Sequence, residues 1–79
     1  MVIKVLGSGC RNCATLEENV RKAVSEMGIT AEVVKVTDIQ EIVSYGVISM
    51  PALVVDEKVV SYGKVLTKDD VARILSKIS

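Results

Sequence analysis

Apolar positions along this chain follow two rhythms, one of strands and one of helices. Val2 to Leu6 is a β-branched apolar run interrupted only by Lys4, which predicts a buried strand. Gly7, Ser8 and Gly9 break it. Cys13, Leu16, Val20, Val24 and Met27 then recur at helical spacing and define an apolar stripe. Glu17–Arg21 and Glu18–Lys22 are i,i+4 pairs in the favoured order on the outer face, and Gly28 ends the helix at its C′ position. Thr30 to Val36 predicts a second strand, with Glu32 and Lys35 suggesting an edge. Thr37 and Asp38 offer N-caps to a short helix that carries Ile39, Ile42 and Val43 inward and stops at Gly46. Val47 to Met50 leads into Pro51, the only proline. Ala52–Val55 and Lys58–Tyr62 form a hairpin across Asp56-Glu57. That turn lacks the glycine of a tight primed turn, which leaves room for a longer loop or a bulge. After Gly63, Thr67 with Asp70 opens a last helix whose inner stripe is Val71, Ile74, Leu75 and Ile78.

The predicted order is β-α-β-α-β-β-α. A β-α-β start implies two parallel strands joined by a right-handed crossover, and the hairpin adds an antiparallel pair. The expected product is an α/β fold, one mixed four-stranded sheet with helices on both faces, forming a single domain over residues 1–79. With 79 residues and 49% apolar positions the chain can bury one small core. Ten Lys+Arg balance ten Asp+Glu, so no basic excess points to nucleic acid. The absence of histidine excludes imidazole catalysis and His-ligated metal sites. No apolar stretch resembles a secretory signal or a membrane span. A cytoplasmic monomer without membrane contact is expected.

The chemistry is concentrated in Cys10 and Cys13, the only two cysteines. A bridge between them closes too small a loop to stabilise the fold by restricting the unfolded chain. They sit where the first strand passes into the first helix, a place with unpaired N–H groups and partial positive charge. A thiolate there is stabilised, and Arg11 adds a full positive charge. Cys10 is the expected nucleophile of disulfide exchange. Cys13, one turn on and part of the apolar stripe, is the expected resolving thiol, more buried and less acidic. Half of a zinc site is the competing reading, weakened because two ligands cannot close a four-coordinate site. Two readings of Pro51 stay open: a trans residue opening a strand, or a cis peptide after Met50 that sets a backbone edge beside Cys10. Lys4 either snorkels out or lies beneath the thiols, and the first is the simpler.

The strand into Gly-x-Gly-Cys-x-x-Cys, the Leu-Glu-Glu-Asn-Val helix, Val-Thr-Asp-Ile, and Tyr-Gly-Val-x-Ser-x-Pro-Ala-Leu-Val-Val-Asp resemble one family over nearly the whole chain. It is the small glutaredoxin-like, thioredoxin-fold proteins of archaea and bacteria, often called redox-active disulfide protein 2. The resemblance implies a thioredoxin-like fold with the first and last helices on one face and the short helix on the other. It implies that Pro51 is cis and that the Met50 backbone pairs with an extended substrate segment. Cys10 and Cys13 match the redox pair, and Arg11, Met50 and Pro51 are the expected substrate contacts. The chain differs from thioredoxins proper in Gly9, Arg11-Asn12 and Lys4, and from glutaredoxins in having Gly63 followed by Lys64. Neither glutathione nor thioredoxin reductase is therefore implied as a reaction partner.

The function expected is a thiol–disulfide oxidoreductase or redox carrier, without metal or cofactor, acting on protein disulfides and recharged by an unidentified reductant. Two alternatives use the same thiols. One is a soft-metal module holding Cu(I); such domains end in a strand, whereas this chain is predicted to end in a helix. The other is an interaction domain gated by the disulfide.

Overall fold

The computed structural model describes residues 1–7 and 11–78. The elements are β1 (Val2–Leu6), α1 (Arg11–Met27), β2 (Glu32–Val36), α2 (Ile39–Ser44), β3 (Ala52–Val55), β4 (Lys58–Tyr62) and α3 (Lys68–Ile78). This is the order the apolar rhythm predicts. The strands lie as β2-β1-β3-β4 in one sheet. β1 pairs parallel with β2 and antiparallel with β3, and β4 completes an antiparallel hairpin. β2 lies at an edge, as its charged positions suggest.

Period-two alternation divides the core between the two faces of the sheet. Ile3, Val5, Leu53 and Val55 meet Leu16, Val20 and Ala23 of α1 and Val71 and Leu75 of α3. Leu6, Ala52 and Val54 turn the other way and meet Ile42 of α2 together with Val36 and Val47. The first and last helices therefore share one face and the short helix takes the other. Within α1 the fully buried positions are Cys13, Leu16, Val20 and Ala23, while Val24 and Met27 are half-buried at the margin.

Local chemistry sets the element ends. Asp38 caps α2, its Oδ1 accepting from the Gln40 N–H at 2.9 Å. Thr67 and Asp70 cap α3 reciprocally: the Asp70 N–H donates to Thr67 Oγ1 at 3.2 Å and the Thr67 N–H to Asp70 Oδ2 at 3.3 Å. Both i,i+4 pairs of α1 form, Glu17–Arg21 at 2.9 Å and Glu18–Lys22 at 3.2 Å. The Asn19 amide donates to the Leu66 carbonyl at 2.8 Å and fixes the approach to α3.

Two expectations are corrected and a third is met in part. Ile39 and Val43 are not inward; both are 61% exposed. α2 has six residues, too few turns to face more than Ile42 onto the sheet. Ile78 is likewise 45% exposed, beyond the reach of the core that Val71 and Leu75 fill. The Asp56-Glu57 turn is tight despite having no glycine: both residues take positive φ, 49° and 69°. It is held from outside, since Val2 N–H donates to Asp56 Oδ1 and Asp56 N–H to the Val2 carbonyl, each at 2.9 Å. A bulge does occur, further along, where Leu53 pairs Ser61 but Val54 pairs Val59.

Candidate active site

The candidate site lies at the end of the sheet where β1 leaves and β3 enters. Leu6 pairs with Ala52, so the next residues out, Gly7 and Pro51, leave the two central strands side by side. Gly7 is buried and its N–H donates to the Val36 carbonyl at 2.9 Å, continuing the sheet one residue past β1. Cys10 lies outside the described residues. Cys13 is in the first turn of α1, 1% exposed, and belongs to the helix's inner face. Its sulfur rests on the bare Cα of Gly7. A Cβ added there would overlap Cys13 Sγ and come within 3.0 Å of Cys13 Cβ.

No acidic residue occupies the first turn of α1, so no carboxylate opposes the positive end of its dipole. Arg11 begins the helix and is exposed. The Thr15 hydroxyl donates back to the Arg11 carbonyl at 3.1 Å.

The Met50-Pro51 peptide is cis, which decides between the two readings of that proline. Pro51 is buried, and its carbonyl accepts from the Gly63 N–H at 2.9 Å. Gly63 has φ 71°, and an added Cβ would lie 3.2 Å from Ser49 Cβ, so a side chain there is strained and crowds Ser49. Met50 is 46% exposed and adjoins Ile48, which is 95% exposed. These residues border an apolar cleft completed by Ile39, Val43 and Gly46. The structure thus gathers Gly7, Cys13, Met50 and Pro51 at one end, with Arg11 at the rim.

Lys4 belongs elsewhere. Its Nζ donates to Tyr45 Oη at 2.7 Å and to Glu57 Oε1 at 2.8 Å, and Tyr45 Oη donates to Glu57 Oε2 at 3.1 Å. The ammonium also lies 5.5 Å from the Tyr45 ring centre. The hydrogen bonds to Glu57 and then Tyr45 hold the Lys4 pKa well above the ordinary lysine range. The Lys4 bond, then that of Tyr45, pulls the Glu57 carboxyl below its usual range. This cluster engages the hairpin turn, at the opposite end of β3 from Pro51. Lys4 snorkels to a carboxylate and does not lie beneath Cys13. Tyr45 is half-buried as expected, whereas Tyr62 is 59% exposed.

Sequence reasoning reads Gly7 as a strand breaker and misses its contact with Cys13. The available signal is a small residue at the end of a buried strand facing a helix start. Among the described residues, no three metal-ligating side chains of the His, Cys, Asp or Glu type come together, and no helix is long and apolar enough to cross a membrane.

A family model described as a thioredoxin domain matches residues 1–76. A thioredoxin of Methanothermobacter thermautotrophicus is 41% identical over 76 residues, covering 96% of this chain and 99% of that protein. A thioredoxin of Methanocaldococcus jannaschii is 42% identical over 71 residues, covering 90% of this chain and 81% of that protein. The solved structure of a malarial protein superposes with a TM-score of 0.72 at 14% identity, covering 96% of this chain and 93% of its own, a likeness of fold. The match across nearly the whole chain and the two archaeal relatives show that this chain belongs to the thioredoxin family, as a small redox-active member of it.

Proposed function

We propose that the chain is a dithiol–disulfide oxidoreductase or redox carrier for protein disulfides, acting as one domain through Cys10 and Cys13. The observation that carries this reading is the buried Cys13 in the first turn of α1, one strand away from the cis Met50-Pro51 peptide. The relatives' printed name, thioredoxin, supports it.

The Cys10 thiolate attacks one sulfur of a substrate disulfide. A Cys10–substrate bond forms and the other substrate sulfur leaves as a thiolate. Cys13, deprotonated, then attacks Cys10 Sγ, and the second substrate sulfur leaves. The substrate has gained two electrons and this chain has lost two, now held as the Cys10–Cys13 bridge. An external dithiol reverses the exchange and recharges the pair. Arg11 favours the Cys10 thiolate, and Met50 and Pro51 offer backbone to an extended substrate segment. No metal or organic cofactor enters any step. The reading places the chain as a monomer in a reducing cytoplasm.

Equilibration against a thiol/disulfide buffer, read by alkylation and mass, tests it. The expected outcome is one two-electron couple between about −300 and −180 mV. Cys10→Ser abolishes turnover, and Cys13→Ser accumulates the mixed disulfide. A Cys10→Ser protein that still reduces disulfides at the parent rate refutes the assignment.

A further inference from the structure

We propose that Gly7 is a positioning residue for the resolving step: its missing side chain is the seat that fixes the Cys13 sulfur. This deepens the dithiol reading and rests on it. The geometry is direct. Gly7 is buried and held by its hydrogen bond to the Val36 carbonyl, so it does not yield. Any Cβ at that position overlaps Cys13 Sγ and crowds Cys13 Cβ at 3.0 Å. Gly7 is not among the glycines with positive φ, so its backbone does not call for glycine. What calls for it is the sulfur. Cys13 is anchored on the other side by its place in the first turn of α1, on the buried stripe it shares with Leu16. A displaced sulfur must therefore change rotamer, or α1 must lift at its first turn. Either way the sulfur leaves the position from which it attacks Cys10.

The experiment uses dithiobis(nitrobenzoate) as the disulfide. Attack by Cys10 releases one nitrothiobenzoate and leaves the other on Cys10. Attack by Cys13 on Cys10 Sγ releases the second and leaves the bridge, so the chain gives up two electrons to the reagent. Gly7→Ala is expected to release the first at the parent rate and to slow the second on the order of tenfold. A purely structural role would destabilise the chain without splitting the two phases. Equal phases in Gly7→Ala and parent overturn the role of Gly7. A parent that never releases the second overturns the dithiol reading itself, and this role with it.

Thermal midpoints provide a second arm that needs no redox chemistry. Gly7→Ala is expected to lower the midpoint by about 4 °C or more when Cys13 is present. In a Cys13→Ala background most of that loss disappears, because the sulfur it collides with is gone. If Gly7→Ala alone fails to fold, Gly7→Ala/Cys13→Ala must fold. A loss of the same size in both backgrounds, or a double variant that also fails to fold, overturns the proposal.

Discussion

A lysine in the middle of a central strand must carry its ammonium to water or to a partner, because burying it unpaired is costly. Lys4 does both, reaching Glu57 while its stem covers the α2 face of the sheet. The pair has a pH signature. The Glu57 carboxyl is held below its usual range, so its contribution to stability is present above the unfolded-state pKa and fades as pH falls through the lowered one. Lys4 is raised, so its contribution is complete below the ordinary lysine value and fades only in strong alkali. Urea midpoints of parent and Glu57→Gln are therefore expected to differ near pH 7 and to converge as pH falls below the ordinary glutamate range. The gap is small, since the Glu57 side chain is 67% exposed. Parallel curves would show that the contact adds nothing. None of this cluster could be read from the chain in advance. Tyr45 and Glu57 lie 41 and 53 positions from Lys4, and neither carries a local signal of that pairing. The two cysteines were legible for the opposite reason: their chemistry depends on a strand–helix junction that local pattern announces.

Individual elements are held by interactions of short range, which is why their order was readable. The Thr67–Asp70 box is such a case. Thr67→Ala is expected to cost about 1 kcal/mol, measured as a lower urea midpoint, with Thr67→Ser restoring most of it. Where an element departs from expectation, a distant group intervenes. Asp56 and Glu57 each occupy a left-handed conformation that costs a non-glycine residue about 1 kcal/mol. The Val2 and Lys4 contacts hold them there, and these come from the other end of the sequence. In α2, by contrast, only Ile42 of the three apolar positions expected inward is buried, and length is the reason. Six residues bring one side chain to the sheet and leave Ile39 and Val43 facing outward.

At the scale of the whole molecule, stability rests on two clusters separated by a single sheet, the larger beneath α1 and α3. Leu75 is fully buried in the larger one. Leu75→Ala is expected to cost about 2–5 kcal/mol. The total for a domain of this kind is about 5–15 kcal/mol, so the variant lies near its unfolding threshold, with an unchanged urea slope and a much lower midpoint. The architecture was legible because β-α-β followed by a hairpin leaves few chiral arrangements. The seat of Cys13 on Gly7 was not, because it depends on how α1 packs against the end of β1, which no local pattern states.

The chain has no tryptophan and two tyrosines, which border one cleft but are held differently. Tyr45 is bound into the ammonium–carboxylate cluster at the hairpin end, while Tyr62 pairs with Ala52, the residue after the cis proline. Replacing Tyr45 with phenylalanine therefore leaves Tyr62 as the one tyrosine emitter, next to the Gly63 N–H that donates to the Pro51 carbonyl. Its emission is an optical gauge of the β4 end that Pro51 holds through Gly63, free of signal from the ammonium–carboxylate cluster.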